Sequence, residues 1–178
     1  MTYLSLGTNI GDRLQNLVDA ILLLERKGAN LISVSSVYET EPWGFEAAMN
    51  FYNIVIEVEY NGSPEELLEI TQGIELEMGR VSKTAQGYES RIIDLDILFV
   101  DEKVINNVKL RIPHEKMSER NFVLAPLNEV NPLFIHPLSG MSVREMLQKC
   151  KDDSEMNLTV TNIDFLKKIR RNGGQRKK

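Results

Sequence analysis

Two carboxylates separated by one residue carry the strongest chemical signal in this chain: Asp94 and Asp96, in the stretch Arg91-Ile92-Ile93-Asp94-Leu95-Asp96-Ile97-Leu98-Phe99. The stretch is apolar, rich in β-branched residues and free of breakers, so it reads as a β-strand. Side chains alternate along a strand, which puts Ile93, Leu95, Ile97 and Phe99 on one side and Asp94, Asp96, Leu98 and Val100 on the other. The two carboxylates then project from one face, with Cα atoms about 7 Å apart. Like charges beside apolar surface repel and lose hydration, and a cation between them relieves both costs. Oxygen donors with no Cys or His nearby suit Mg²⁺, which commonly takes one or two carboxylates plus substrate phosphates. The same spacing also fits a pair of solvated acids on an exposed strand.

Cations stand just before this pair. Arg80, Lys83 and Arg91 flank it, and Arg can clamp phosphate oxygens in a fork while Lys acts as a point charge. Glu75 and Gln72 lie near the edge of a helix stripe, where a surface position is the ordinary reading. His114 follows Pro113 in an extended segment that alternates with Lys109 and Arg111. His136, before Pro137, reads as structural. Trp43, Phe45, Phe51, Tyr52, Tyr88 and Phe122 sit in or beside loops, where aromatics with an Asn such as Asn53 can hold a flat heterocycle by face and edge. Core packing is the plainer alternative for each of them. The chain has no Walker A sequence, no dinucleotide-binding glycine fingerprint and no zinc-type Cys/His spacing, so a P-loop phosphate cradle is excluded.

These residues need a scaffold, and the periodicity supplies one. Thr2 to Gly7 predicts a strand, followed by a tight loop and a helix capped by Asp12 and stopped by Gly28. Leu31 to Tyr38 predicts a single strand. Residues 39–50, with Pro42 and Gly44, form a long aperiodic loop, and loops of that length are often functional. Phe51 to Tyr60 predicts a strand. Ser63-Pro64-Glu65-Glu66 is a helix start with a capping box, and the helix ends near Gly79. Residues 80–90 form a second polar loop before the acidic strand. A short strand is expected near Val104 and Ile105, a short helix from Ser118 to Leu124 broken by Pro126, and a capped helix from Ser142. Strand-helix-strand-strand-helix-strand predicts an α+β fold with a ferredoxin-like βαββαβ core and a mostly antiparallel sheet. Residues 1–150 read as one domain. Residues 151–178 read as a C-terminal appendage, with a strand at Leu158 to Val160, a helix at Phe165 to Ile169 and disorder from Asn172.

Net charge is −5, but seven basic residues crowd the last 12 positions, so residues 1–166 carry about −12. That body is a poor nucleic-acid surface. One cysteine, Cys150, allows no intrachain disulfide, and no apolar run approaches membrane-span length. The expectation is a cytoplasmic protein with no membrane, nucleic-acid or obligate protein partner.

Taken in order, the motifs resemble the 6-hydroxymethyl-7,8-dihydropterin pyrophosphokinase family of folate biosynthesis. The resemblance runs from Leu6-Gly7-Thr8-Asn9 and Gly11-Asp12-Arg13 through Ser35-Ser36-Val37-Tyr38-Glu39-Thr40, Phe51-Tyr52-Asn53 and Glu75-Leu76-Glu77-Met78-Gly79-Arg80. It continues through the acidic strand to Pro113-His114 and Arg120-Asn121-Phe122-Val123-Leu124. It implies that ATP donates its β,γ-pyrophosphoryl group to the pterin hydroxymethyl oxygen, with release of AMP. Asp94 and Asp96 would then hold two Mg²⁺ ions. Asn53 would bond the pterin edge, Phe122 and Tyr88 would cover its two faces, and Phe51 with Thr40, Glu41, Pro42 and Trp43 would line the pocket. Gln72, Glu75, Lys83, Lys109, Arg111, His114 and Arg120 would hold ATP, with Arg80 and Arg91 on the phosphates. The chain departs from the family pattern at Glu41, Ser82, Tyr88, Glu89-Ser90 and Glu115. Two other classes fit the acidic strand on its own: a non-catalytic ligand-binding module, and a two-metal nucleotidyltransferase on a polynucleotide, which the acidic body disfavours.

Overall fold

A computed structural model describes residues 1–43, 49–79 and 90–175. The first strand, β1 (Thr2–Thr8), leads to helix α1 (Arg13–Arg26), whose first turn is capped by Asp12 accepting from the Gln15 amide at 3.0 Å. Gly28, at φ +88°, turns the chain out of the helix in a backbone region that costs other residues a Cβ clash. The expected single strand at 31–38 is two: β2 (Asn30–Val34) and β3 (Val37–Thr40). They are separated because the Ser35 hydroxyl, not a backbone carbonyl, accepts the Val55 amide at 3.0 Å, which interrupts the ladder. Next come β4 (Phe51–Glu59) and α2 (Pro64–Glu77), which starts with the expected reciprocal capping box between Ser63 and Glu66.

The acidic strand, β5, spans Asp94–Val100. It starts later than Arg91 because the Asn9 side chain takes the Arg91 amide at 2.7 Å in place of a strand partner. A hairpin of β6 (Ile105–Asn106) and β7 (Arg111–Ile112) follows, then a short 3-10 turn at Met117–Glu119 and α3 (Asn121–Val130). Pro126 lies inside α3 rather than ending it. Proline there removes one bond, the one Phe122's carbonyl would accept, and its ring is buried in the packing. The chain closes with α4 (Val143–Lys149), β8 (Met156–Val160) and α5 (Asn162–Gln175). Helix α5 continues past Asn172, where the sequence alone suggests disorder.

Among the described residues the main sheet runs β5-β1-β4-β3-β8, with β2 also on β4, and every pairing in it is antiparallel. With β2 and β3 counted as one interrupted strand, the first four positions have the expected ferredoxin-like order. Strand β8 extends the sheet beyond it.

The sheet separates two cores. On one face Leu4, Leu6, Ile54, Ile56, Leu95 and Ile97 pack under α1, α2 and α5. On the other, Tyr3, Val55, Leu98 and Phe99 pack under α3 and α4. A fully buried Leu or Ile stabilises the fold by about 1.5–3 kcal/mol, so both layers are firmly held. The strict alternation expected of β5 fails at one point. Tyr3 pairs with Phe99 but Leu4 pairs with Ile97, so Leu98 is an extra residue. Phe99 therefore joins the second core and Val100 the first, the reverse of the simple parity.

Candidate active site

Helices α3 and α4 cover only part of the second face of the sheet, and the uncovered part is the floor of a cleft. The register builds that floor in rows. Gly7 of β1 lies between Asn53 of β4 and Asp94 of β5, and Ser5 lies between Val55 and Asp96. Gly7 leaves a gap in its row. A Cβ at that position would lie 3.0 Å from Asn53 Oδ1 and 3.8 Å from the Phe51 ring. The cleft is lined by Ser5, Gly7, Asn53, Phe51 and the acidic pair below, with Thr40, Glu41, Trp43, Arg91, Arg120 and Phe122 around it.

At the β4 end, Asn53 is buried and donates through Nδ2 to the Thr40 hydroxyl at 2.8 Å, which fixes the amide plane and aims Oδ1 toward the gap over Gly7. At the β5 end, Asp94 and Asp96 share the floor face as expected. Each is matched by positive charge. Arg91 Nη1 donates to Asp94 Oδ2 at 2.8 Å, and Arg120 Nη1 and His114 Nε2 lie 3.9 and 4.0 Å from Asp96 Oδ2. Burial holds the His114 imidazole below its usual value; Asp96 pulls it up and Arg120 pushes it down. Among the described residues no group of three or more His, Cys, Asp or Glu converges on one point. The chain thus offers a cation two half-exposed carboxylates and leaves other positions to water and phosphate oxygens, a donor set that fits Mg²⁺.

The wall opposite the sheet is the start of α3. Phe122 lies 6.4 Å from Trp43 between ring centroids, and the Arg120 guanidinium sits 5.1 Å from the Trp43 ring and 5.7 Å from the Phe122 ring. Arg120 is nearly buried, so its charge acts on the cleft with little solvent screening.

Of the residues expected in a pterin pocket, the structure gathers Thr40, Glu41, Trp43, Phe51, Asn53 and Phe122, while Pro42 is half-buried and does not line the cleft. Arg120 and Arg91 line it as well, and His114 borders it through Asp96. Glu75 is buried, not the surface residue its pattern suggests, and its carboxylate accepts the Leu95 amide at 2.8 Å. Gln72, Lys109 and Arg111 are exposed and outside the lining, and Arg111 is paired with Glu115. Arg80, Lys83 and Tyr88 lie outside the described residues.

Sequence reasoning missed Ser5, Gly7 and Asn9. The signal for the first two was present: β1 alternates Leu4 and Leu6 with Ser5 and Gly7, and small residues on one parity leave room above the sheet. Asn9 is buried and clamps the approach to β5, accepting the Arg91 amide and donating to the Ser90 hydroxyl at 2.9 Å. Nothing in its spacing announces that role.

The model of the 7,8-dihydro-6-hydroxymethylpterin-pyrophosphokinase (HPPK) family matches residues 3–132. A 2-amino-4-hydroxy-6-hydroxymethyldihydropteridine pyrophosphokinase of Porphyromonas gingivalis is 44% identical over 140 residues, covering 77% of this chain and 94% of that protein. The folic acid synthesis protein fol1 of Pneumocystis carinii is 41% identical over 150 residues, 84% of this chain, and the chain spans only 20% of that longer protein. The crystal structure of wild-type Plasmodium falciparum HPPK-DHPS with pteroate superposes at a TM-score of 0.68 over 83% of this chain and 44% of that one; at 18% identity it speaks for the fold alone. With its acidic strand, aromatic wall and Asn53 assembled in one cleft, and its sequence matched along most of its length, the chain belongs to the 7,8-dihydro-6-hydroxymethylpterin-pyrophosphokinase family.

Proposed function

We infer that this protein transfers the β,γ-pyrophosphoryl group of ATP to the hydroxymethyl oxygen of 6-hydroxymethyl-7,8-dihydropterin in folate synthesis. The observation that carries the reading is the row Asn53–Gly7–Asp94, a side-chain-free slot with an amide at one end and a carboxylate at the other. A flat ring lying over Gly7 meets Asn53 Oδ1 at its edge, and its substituent points toward the acidic pair. Phe122 and Trp43 give that ring an apolar cover.

In the reaction the hydroxyl oxygen attacks the β-phosphorus. The bond from that phosphorus to the α–β bridging oxygen breaks, AMP departs with the bridging oxygen, and the hydroxyl proton is released. Asp94 and Asp96 would hold two Mg²⁺ ions, which supply charge neutralisation for the triphosphate and a lower pKa for the attacking hydroxyl. Arg91 and Arg120 place positive charge beside the same carboxylates, where phosphate oxygens arrive. We assign Arg80 to the phosphates, Lys83, Gln72, Glu75, Lys109, Arg111 and His114 to ATP, and Tyr88 to the pterin, on the family pattern. We take Pro42 as a backbone support for the Glu41 to Trp43 rim. A cytoplasmic enzyme without a nucleic-acid or membrane partner fits the acidic body and the lone cysteine.

Phosphorus NMR on protein with ATP, Mg²⁺ and the pterin tests the assignment. AMP should accumulate only with pterin present. Asp94→Ala and Asp96→Ala should each cut the rate by at least about a thousandfold while the protein stays folded. Release of ADP, or near-normal turnover by either variant, rules the assignment out.

A further inference from the structure

The family match ends at residue 132, yet the walls of the cleft are held from beyond residue 150. Helix α3 starts at Asn121, and the residue before it, Arg120, gives it no side-chain cap. The first amides of a helix need an acceptor. Asp152 supplies one: its Oδ2 accepts the Asn121 amide at 2.9 Å. Its other oxygen accepts the Ser154 amide at 3.1 Å and the Ser154 hydroxyl at 2.5 Å, which locks the carboxylate in place. Burial raises the Asp152 carboxyl's pKa, but the Ser154 hydroxyl, the Asn121 amide and the Ser154 amide outweigh that and hold it below the ordinary value, so it is anionic at neutral pH. An anion at that end of a helix is favourable. Asn121 sits between Arg120, the residue that precedes α3, and Phe122 in its first turn, and both of these line the cleft.

The same segment reaches the opposite rim. Strand β8 pairs with β3 and sets Met156 against Thr40, the residue that fixes Asn53. A third tie links the two attachments. The Asn162 amide donates to Ser36 Oγ at 3.0 Å, and Ser36 donates through both its amide and its hydroxyl to Glu129 of α3, at 2.9 and 2.8 Å.

We propose that the segment after residue 150 is a brace for the active site, and that Asp152 is a positioning residue that fixes the start of α3 so that Phe122 keeps its place opposite Asn53. The proposal rests on reading the cleft as the pterin site.

Its test compares wild type, Asp152→Ala, Asp152→Asn and Ser154→Ala. Three quantities are read: steady-state constants for pterin and ATP, hydrogen exchange of the peptide over residues 117–126, and pterin quenching of Trp43, the chain's only tryptophan. Asp152→Ala should raise the pterin KM about fivefold to tenfold, change kcat by less than about twofold, and speed exchange at the start of α3. Asp152→Asn keeps an oxygen acceptor and should recover most of the loss. Ser154→Ala removes the hydroxyl that holds the carboxylate, leaves the Ser154 amide in place and does not touch α3; it should give the same changes at smaller size, which keeps the test decisive if Asp152→Ala does not fold. Exchange at α3 unchanged in both alanine variants, or a pterin KM within about twofold of wild type in folded Asp152→Ala (indistinguishable from wild type in Ser154→Ala if Asp152→Ala does not fold), overturns the brace. A wild-type protein whose Trp43 is not quenched by pterin overturns the reading of the cleft itself, whatever the exchange shows.

Discussion

At the scale of single residues, the site depends as much on an absent side chain as on those present. Gly7 separates Asn53 from Asp94 across three strands, and nothing rises from the sheet between them. Its role is steric rather than conformational, since a methyl group there would meet Asn53 Oδ1 at 3.0 Å, closer than ordinary van der Waals contact. The Gly7→Ala variant should fold, because the change projects into open cleft and not into either core. It should bind pterin at least about tenfold more weakly, a loss comparable to one displaced hydrogen bond in a confined pocket. Titration of Trp43 fluorescence measures this, and pterin affinity equal to wild type would show that the ring does not lie over Gly7. Asn9 acts on the neighbouring residue: by holding the Arg91 amide and the Ser90 hydroxyl it fixes where Arg91 begins, and so where its guanidinium meets Asp94.

At the scale of elements, β5 is an edge strand that must hold two like charges in register. Strand β1 pairs with one side of it, and α2 holds the other through Glu75, whose carboxylate accepts the Leu95 amide between the two aspartates. An outward-facing edge amide is thereby satisfied without a further strand. Removing a buried charged acceptor leaves that amide unsatisfied and costs about 1.5–3 kcal/mol. In a domain of this size that lowers the melting temperature by about 3–10 °C. Glu75→Ala should show such a drop by thermal unfolding, with Glu75→Gln between it and wild type. A melting temperature unchanged in Glu75→Ala would mean that the helix does not anchor the strand. The bulge at Leu98 belongs to the same element. It lets the cleft end of β5 carry carboxylates while the far end turns Phe99 into the second core, where it packs against Phe134 at 4.6 Å between centroids.

At the scale of the whole molecule, the cleft exists because α3 and α4 cover one end of the sheet and leave the other bare. The second core that fixes them includes the loop after α3, where Phe134 packs and His136 organises the turn. His136 Nδ1 accepts the amides of Leu138 and Ser139, both at 3.2 Å, and its ring edge meets Phe99. Both acceptor contacts require the neutral imidazole. Burial lowers the His136 pKa from its ordinary value, and its own backbone hydrogen bond opposes that only in part. The folded state thus binds this proton less readily than the unfolded chain. Its contribution to stability is complete above the unfolded value of about 6.5, declines as pH falls below that, and levels off beneath the lowered folded value. His114, shifted in the same direction, adds to the slope. Urea unfolding between pH 5 and 7.5 should show stability falling toward acid, with a shallower fall in His136→Asn. An identical pH profile in that variant would remove His136 from the account.

The sequence by itself determined what local rules govern. Asp12, Ser63 and Ser142 cap helices where their spacing says they should, and the succession of strands and helices along the core follows from hydrophobic periodicity. The acidic pair on one face follows from alternation, which holds as long as no residue is inserted. Tertiary structure decided everything that depends on a partner distant in the chain. The Leu98 bulge is set by pairing with Tyr3 and Leu4, the break at Ser35 by the Val55 amide, and the empty place at Gly7 by neighbours some 46 and 87 positions away on β4 and β5. The brace at Asp152 is the extreme case. An aspartate in a polar stretch looks like any solvated acid, and only the folded chain sets its carboxylate against the unsatisfied first amide of α3.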